Sequence, residues 1–431
     1  MFIDKLELCN FKRFENLNIE FKDRLTVIIG NNGSGKTSIL EAAGIAVGTL
    51  FNSFDGIPVT GIKKTDAHYK YYDMGSVIDV QSQYPVEITA TGKINQGTIT
   101  WKRTLNSENG KTTIVDAKDI IKISEEYKSR LMDGDADLIL PIVAYYGTGR
   151  LWDPHREKKS DVLKKNTRTN GYIDSIGGTA NIKLMLKWFN KMAHYDKDHT
   201  DCSYEYLAVR RAMEKCLSSL AGVSETEVLY NLDTLEIDIS YKDENGQKVR
   251  IPLIQLSDGY RCALSLIADI AYRMAILNPS LKGNVLAETN GIVFIDEVDL
   301  HLHPEWQQVI LSNLMEIFPK VQFIITTHAP AVINSVHSEN LVILEGNNAK
   351  SIANEIYGMD TNGVIKSIMG STTRPKGIIE QFSLFYNALD SEDYNEAEKI
   401  LKNLEAEISD TDPELAACRV RMDLERIDFS E

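Results

Sequence analysis

The chain has few cysteines, no long apolar run and no basic excess, and each of these absences excludes a class of protein. Its five cysteines are scattered through 431 residues without a C-x-x-C pair, which predicts reduced thiols rather than a disulfide framework. The longest apolar run, 138–146, is of strand length, short of the roughly 18 residues that a membrane-spanning helix needs. The first residues lack the basic and apolar segments of a signal peptide. We therefore expect a cytoplasmic protein without a membrane contact.

The charge balance is acidic, with 47 Lys and Arg against 62 Asp and Glu, a formal net charge of −15. This argues against a protein that coats nucleic acid over its whole surface, but it leaves room for a local basic groove. One such stretch, 155–168, contains Lys158, Lys159, Lys164 and Lys165. It is either a solvated surface loop or a contact for the phosphate backbone of DNA or RNA.

A complete phosphate-binding loop is the most informative feature of the sequence. An apolar run at 25–29 predicts a buried strand before it, and residues 38–43 predict a helix after it. In this context glycines turn backbone N–H groups toward a polyphosphate, Lys36 reaches the β- and γ-phosphates, and the Thr37 hydroxyl ligates Mg²⁺. The sequence thus predicts a site for ATP with Mg²⁺. The loop matches G-x-x-x-x-G-K-[ST] and extends one residue further, as Gly30, Asn31, Asn32, Gly33, Ser34, Gly35, Lys36, Thr37 and Ser38.

Two acidic residues that end an apolar strand supply a second part of the predicted site. The run 291–295 is followed directly by Asp296 and Glu297. A carboxylate at the end of a central strand can hold Mg²⁺ beside the phosphates, so Asp296 is the predicted metal partner of Thr37. Glu297 is then the predicted general base, which polarises the attacking water. The alternative is an acidic turn without a catalytic role.

Two further segments complete the set. His328 follows the apolar strand 322–327, about one helix and one strand after the two acids. We expect it at the edge of the neighbouring strand, near the γ-phosphate, although a lone histidine there is often only a polar strand end. Segment 256–261 opens a helix, with Ser257 as a good N-cap and Gly259 allowing close approach of an anion.

Together these four motifs resemble the ATP-binding-cassette ATPase heads of the RecF, structural-maintenance-of-chromosomes and OLD group. The resemblance covers residues 2–50 and 253–345. It implies an α/β fold: an ABC-type P-loop ATPase head with a mixed central sheet, a β-rich N-terminal lobe, a helical insert and a helical C-terminal tail. It also implies a homodimer closed by ATP, with higher oligomers possible in principle.

The resemblance assigns further residues to the site. Ser257 and Gly259 would contact the γ-phosphate bound by the other protomer, and Asp258 replaces the second glycine of transporter signatures. Either Lys12 or Arg13 of the N-terminal strand would approach the phosphates. The glutamine that usually follows the first lobe is missing, and 145–150 occupies its place.

Four regions are predicted from these positions. Residues 1–150 form the N-terminal ATPase lobe, 151–252 an insert with helices and a β-hairpin at 234–251, and 253–345 the C-terminal ATPase lobe. Residues 346–431 form an acidic helical tail. One of its helices carries an apolar stripe that either packs on a core or binds a partner, formed by Ala397, Ile400, Leu401 and Leu404.

The branch within the group follows from what the insert and tail contain. The insert has no heptads, which argues against the long arms of chromosome-organising members. The tail is predicted as helices rather than as the β/α unit with strand-end acids that an appended nuclease needs. Segments 145–152, 256–261 and 368–375 resemble the ATPase subunit of Septu-type anti-phage systems and related retron-linked ATPases. This resemblance implies a separate HNH nuclease as partner. The alternatives are a RecF-like DNA repair ATPase without a nuclease and a scaffold that binds ATP with little turnover.

Overall fold

The computed structural model describes residues 1–95, 97–150, 167–178, 182–198, 203–243, 245–370 and 372–428. The chain divides into two compact units, Met1–Met359 and Asp360–Glu431, which are described separately here. The four regions expected from the sequence remain a prediction, although the α/β class is confirmed.

The strands of the described chain are β1 (Phe2–Phe11), β2 (Phe14–Glu20), β3 (Leu25–Gly30), β4 (His68–Asp73), β5 (Ile78–Gln83), β6 (Val86–Ile94), β7 (Gly97–Leu105), β8 (Ile142–Tyr146), β9 (Ser224–Asn231), β10 (Glu236–Lys242), β11 (Lys248–Pro252), β12 (Gly291–Ile295), β13 (Val321–Thr326), β14 (Leu341–Glu345) and β15 (Asn348–Ser351). The helices are α1 (Lys36–Val47), α2 (Lys118–Met132), α3 (Ile182–Asp198), α4 (Tyr204–Ala221), α5 (Asp258–Leu277), α6 (Val285–Glu288), α7 (Pro304–Ile317), α8 (Pro330–Ile333), α9 (Thr361–Ser367), α10 (Lys376–Asp390), α11 (Tyr394–Glu407) and α12 (Pro413–Asp428).

The first unit is built on a six-stranded sheet of order β15-β14-β3-β13-β12-β8, parallel except for β15, which runs antiparallel to β14. The inner strands are continuous runs of branched and aromatic side chains, and every residue of β12 and β13 is buried. Strands covered on both faces favour such runs over alternation. Because parallel strands end at one common edge, the loops after β3, β12 and β13 meet there.

A second sheet, of order β2-β1-β6-β7, is antiparallel throughout. Side chains along its strands alternate between more and less buried positions. In β6 every second side chain is buried. A tight connection at Lys12 and Arg13 joins β1 to β2, with Lys12 at φ 49°. This turn is the part of the sheet that reaches the candidate site.

The insert predicted at 151–252 contains α3, α4 and a three-stranded antiparallel sheet of order β11-β10-β9. The hairpin expected at 234–251 is therefore present as β10 and β11, and β9 adds a third strand that the sequence reading did not include. A separate two-stranded hairpin, β4 with β5, lies in the N-terminal half.

The second unit is formed mainly by α10, α11 and α12. Its core is apolar and includes Phe385, Leu404, Leu415 and Cys418, none of them measurably exposed. The predicted stripe of α11 is buried in this core. Of the two interpretations left open for this stripe, packing on a core is the one that the structure supports, because its side chains are used for packing within the unit.

Candidate functional site

The phosphate loop connects β3 to α1 at the edge where the parallel strands end. Gly30, Gly33 and Gly35 all have positive φ values of 153°, 73° and 96°. At Gly35 the restriction is also steric, because a Cβ atom would lie 2.4 Å from Phe14 Cζ. Only glycine satisfies both conditions, so the first hairpin can pack directly against the loop.

Two side chains of the loop are buried and polar. Lys36 Nζ donates to the carbonyls of Gly30 at 2.9 Å and Asn31 at 3.2 Å. Burial lowers the pKa of Lys36, and the carboxylates of Glu297, Asp296 and Asp299 oppose this shift. The Ser34 hydroxyl is buried and has no hydrogen-bond partner among the described residues. A buried hydroxyl of this kind, beside a lysine on loop carbonyls, fits a loop that binds polyphosphate.

The first predicted acid lies where the sequence placed it. Thr37 Oγ1 donates to Asp296 Oδ2 at 2.8 Å, and Thr326 Oγ1 donates to Asp296 Oδ1 at 2.6 Å. Asp296 is 1% exposed. A threonine hydroxyl and a carboxylate oxygen at contact distance are the hard oxygen ligands that Mg²⁺ uses beside phosphates, so these residues fit the metal. Within the described chain no cluster of three His, Cys, Asp or Glu side chains is arranged to hold a metal alone.

Glu297 and His328 lie at the same edge, after β12 and β13. The Glu297 N–H donates to Thr326 Oγ1 at 2.8 Å, and Glu297 has the unusual φ of 48°. Burial and the nearby Lys36 cation lower the pKa of His328, while Glu297, Asp299 and Asp296 raise it. The predicted lysine, acids and histidine thus share one electrostatic environment.

The structure separates the two candidate cations of the first hairpin. Arg13 Nη1 donates to the Gly33 carbonyl of the phosphate loop. Lys12 instead pairs with Glu41 on α1 and lies 3.9 Å from Asp66. Arg13 is therefore the residue placed at the loop.

The segment 256–261 is not part of this cluster. Ser257 precedes α5 as its N-cap, is exposed and makes no side-chain cap hydrogen bond. Gly259 is buried and closely packed. A Cβ atom there would lie 2.7 Å from the His301 carbonyl oxygen and 2.8 Å from Trp306 Cζ3. No hydrogen bond among the described residues joins Ser257 or Gly259 to the phosphate loop.

A buried polar cluster that was not predicted from the sequence connects α5 to the sheet edge that carries the predicted site. Tyr146 Oη donates to Asp269 Oδ2 at 2.7 Å, and Arg273 Nε donates to the same oxygen at 2.6 Å. Arg273 also donates to the Gly171 and Ile173 carbonyls at 2.9 and 2.8 Å. Burial, followed by the charge of Asp269, raises the pKa of Tyr146, which keeps its hydroxyl protonated.

A single hydrogen bond links this cluster to the predicted metal ligand: the Asp296 N–H donates to the Tyr146 carbonyl at 2.8 Å. The signal available in the sequence was an acid and a base four residues apart, Asp269 and Arg273, inside the otherwise apolar part of α5.

Lys158, Lys159, Lys164 and Lys165, the predicted DNA or RNA contacts, lie outside the described residues. Arg168, at the end of the same basic stretch, is described and has a structural role. Its guanidinium donates to the carbonyls of Leu277 at 2.7 Å and Asp135 at 3.2 Å. Burial lowers the pKa of Arg168. This residue is therefore not available as a simple phosphate contact.

Comparisons with known proteins identify the family of the chain. An AAA domain family matches residues 5–220, and a second AAA domain family matches 161–334. The "Retron Vc95 probable ATPase" of Vibrio cholerae is 27% identical over 384 residues, 79% of this chain and 72% of that protein. "Septu protein PtuA" of Bacillus thuringiensis is 24% identical over 411 residues, 90% of each chain.

Other relatives are more distant or shorter in overlap. "DNA replication and repair protein RecF" of Oceanobacillus iheyensis is 28% identical over 152 residues, 34% of this chain and 40% of that protein. The "SMC head domain from Thermotoga maritima" superposes with a TM-score of 0.43 and 17% identity, covering 83% of this chain and 100% of that one. None of the helices in the described ranges is long and apolar enough to cross a membrane.

Proposed function

We propose that this chain, which belongs to the AAA domain family, is an ATP-hydrolysing switch that closes as a homodimer and controls a partner nuclease in anti-phage defence. The observation that carries the ATPase part is the hydrogen bond between Thr37 Oγ1 and Asp296 Oδ2. It joins the phosphate loop to the strand end that also presents Glu297, with His328 on the next strand. These are the residues that bind a nucleoside triphosphate and activate water in such sites.

The chemistry is assigned to residues of one chain. The loop N–H groups, Ser34 and Lys36 bind the phosphates, and Thr37 and Asp296 would hold Mg²⁺, which neutralises phosphate charge when bound. Glu297 orients the attacking water and accepts its proton. As the water oxygen bonds to the γ-phosphorus, the bond to the β,γ-bridging oxygen breaks and ADP departs with that electron pair.

His328 is assigned a hydrogen-bonding role at the γ-phosphate. The lowered pKa leaves its imidazole neutral at neutral pH, so it has one donor and one acceptor nitrogen. A neutral ring can donate to a phosphate oxygen without adding a buried charge. Arg13, which contacts the loop at Gly33, is assigned to the phosphate side as well.

We assign Ser257 and Gly259 to the nucleotide of a second protomer, which makes this an ABC-type dimer. The support is their position: Ser257 is exposed at the start of the 20-residue helix α5 and has no cap interaction of its own. The helix start adds partial positive charge, which suits a γ-phosphate. ATP then joins the two chains, and hydrolysis resets the closed state.

The defence role and the HNH nuclease partner rest on sequence similarity to proteins named Septu PtuA and retron ATPases over most of the chain. The acidic second unit carries the surface that we assign to such a partner. The test is a pull-down of tagged Glu297→Gln protein from its host with Mg-ATP, followed by mass spectrometry. Stoichiometric recovery of an HNH nuclease supports the proposal. Recovery of DNA-repair factors, or of the ATPase alone with nucleic acid, would replace it with a RecF-like repair function.

A further inference from the structure

A second cavity lies in the first unit, away from the phosphate loop. Its volume is about 660 Å³, and α3, the start of α4 and the second half of α5 contribute to its walls. This volume is in the range of small-molecule sites. The side chains that decide its chemistry are aromatic or cationic: Trp188, Tyr195, Tyr204, Tyr272, Lys187, Lys191 and Lys282.

The aromatic side chains give the cavity a wall on which a flat ligand can stack. Trp188 lines the cavity and packs edge-on against Tyr272, with ring centroids 5.5 Å apart. Tyr272 is 1% exposed, so it supports this wall from behind. Tyr195 and Tyr204, which also line the cavity, are 47% and 57% exposed, so their rings are accessible. An accessible aromatic wall favours a flat ligand.

The rim is cationic, which is notable in a protein of net charge −15. Lys187 and Lys191 are exposed, one turn apart on α3, and Lys282 is exposed at φ 50° in a short helical turn. No ion pair among the described residues joins any of these three lysines to a carboxylate. Glu205 is the one carboxylate among the described lining residues, and it accepts a hydrogen bond from the Ser203 hydroxyl at 2.9 Å. The rim therefore favours an anion.

We propose that this cavity binds a nucleotide unit, an aromatic base with its phosphate, in addition to the ATP at the phosphate loop. The base stacks against the aromatic wall, and the lysines bind the phosphate. A free nucleotide and a unit of a single strand share this chemistry. The inference does not rest on the proposed function, since it uses none of the residues of the ATPase site.

The location gives bound ligand a route to the ATPase site. Tyr272 precedes Arg273, which belongs to the buried cluster with Asp269 and Tyr146. A ligand that stacks on Trp188 therefore acts through Tyr272 on the same helix that begins with Ser257. This is a consequence of the site, and the binding experiment below does not depend on it.

The test is isothermal titration in saturating Mg-ADP, which keeps the phosphate loop filled. One arm uses the four ribonucleoside 5′-monophosphates, and the other uses a single-stranded thymidine oligonucleotide of about 12 nucleotides. Lys187→Gln with Lys191→Gln is expected to weaken binding about tenfold or more, because two charge-assisted contacts are lost. The matched control is Lys118→Gln with Lys122→Gln, two exposed lysines with the same spacing on α2, which should leave binding unchanged.

Tyr204→Ala separates a stacking role from a packing role. Tyr204 is 57% exposed, so its loss should leave the melting temperature nearly unchanged, whereas loss of a stacking surface weakens binding about fivefold. Binding in the first arm identifies a free nucleotide as the source, and binding in the second arm alone identifies a strand. Absence of binding in both arms, or binding that neither the lysine pair nor Tyr204→Ala weakens, would overturn the proposal.

Discussion

The phosphate-loop side of the site and the Ser257 segment differ in how completely one chain organises them. Around Asp296, both carboxylate oxygens accept hydrogen bonds within the chain, and the residue is 1% exposed. Ser257 is exposed and makes no side-chain cap interaction. The first region is already ordered for chemistry, and the second has its backbone packed but its polar groups facing outward.

This difference indicates how the two regions are used. A catalytic edge that is preorganised in one chain binds nucleotide without a partner. The Ser257 segment is held rigidly from behind, because Gly259 allows the helix start to pack on the His301 carbonyl and Trp306. Rigid support with an exposed polar tip is what a contact to a second chain requires. Variants on the phosphate-loop side should therefore lose ATP binding, and variants of the Ser257 segment should bind ATP but lose hydrolysis.

The largest effect is expected from the phosphate-loop side. Lys36→Ala removes a buried cation that lies among Glu297, Asp296 and Asp299, and leaves the phosphates without their charge-assisted donor. ATP affinity measured by titration should fall about 100-fold or more. Lys118→Ala, at an exposed position on α2, is the control and should bind ATP normally. Equal ATP affinity in both variants would contradict a preorganised site.

A different pattern is expected on the other side. Ser257→Arg should leave ATP binding by the single chain intact and lower steady-state hydrolysis about 10-fold or more, since it obstructs only the second protomer's contact. Ser129→Arg, at an exposed serine of α2, should hydrolyse ATP at the wild-type rate. If Ser257→Arg weakened ATP binding as strongly as Lys36→Ala, the two regions would form one site within one chain.

The buried cluster links the two regions, and its loss should show in stability. Tyr146→Phe deletes the donor to Asp269 and leaves that buried carboxylate with fewer hydrogen bonds. The free energy of unfolding in urea should fall by about 1–3 kcal/mol. Tyr71→Phe, where the ring is 69% exposed, should have no measurable effect. Identical unfolding curves for the two variants would show that the cluster contributes nothing to stability.

The smallest effect is the pH dependence from His328. Its folded-state pKa is lowered by burial and by Lys36, so the unfolded chain binds the proton more readily. The contribution of His328 to the free energy of unfolding is therefore fully present above about pH 6.5, the pKa in the unfolded chain. It is lost as the pH falls through the lower pKa of the folded state. The melting-temperature advantage of wild type over His328→Gln should therefore shrink on acidification. If this advantage grew at low pH, the pKa of His328 would be raised in the folded state, which contradicts the lowered pKa inferred from the structure.

The parts of the site that the sequence predicted are those with a local signal. The loop from Gly30 to Ser38 and the strand ending in Asp296 each combine a fixed spacing with an apolar run, so their positions at the sheet edge followed from parallel pairing. The apolar stripe of α11 predicted that these side chains are covered by another surface, and they are buried. The choice between partner binding and packing needed the structure, because both use the same periodicity.

What could not be predicted depends on contacts between distant residues. Tyr146 and Asp269 are 123 positions apart, and nothing local marks them as a pair. Lys12 and Arg13 are adjacent and both basic, so only the twist of the hairpin decides that Arg13 meets Gly33. Thr326, which donates to Asp296 Oδ1, resembles any threonine at the end of a strand until β12 and β13 are paired.

The most direct test of the central claim is sedimentation velocity of Glu297→Gln protein with and without Mg-ATP. Replacing the proposed base should slow hydrolysis about 10²–10⁴-fold while ATP still binds, so the closed dimer should accumulate. The account predicts a shift from monomer to dimer with Mg-ATP, and loss of that shift when Ser257→Arg is added. A Glu297→Gln chain that stays monomeric at saturating Mg-ATP and hydrolyses it at the wild-type rate would contradict it.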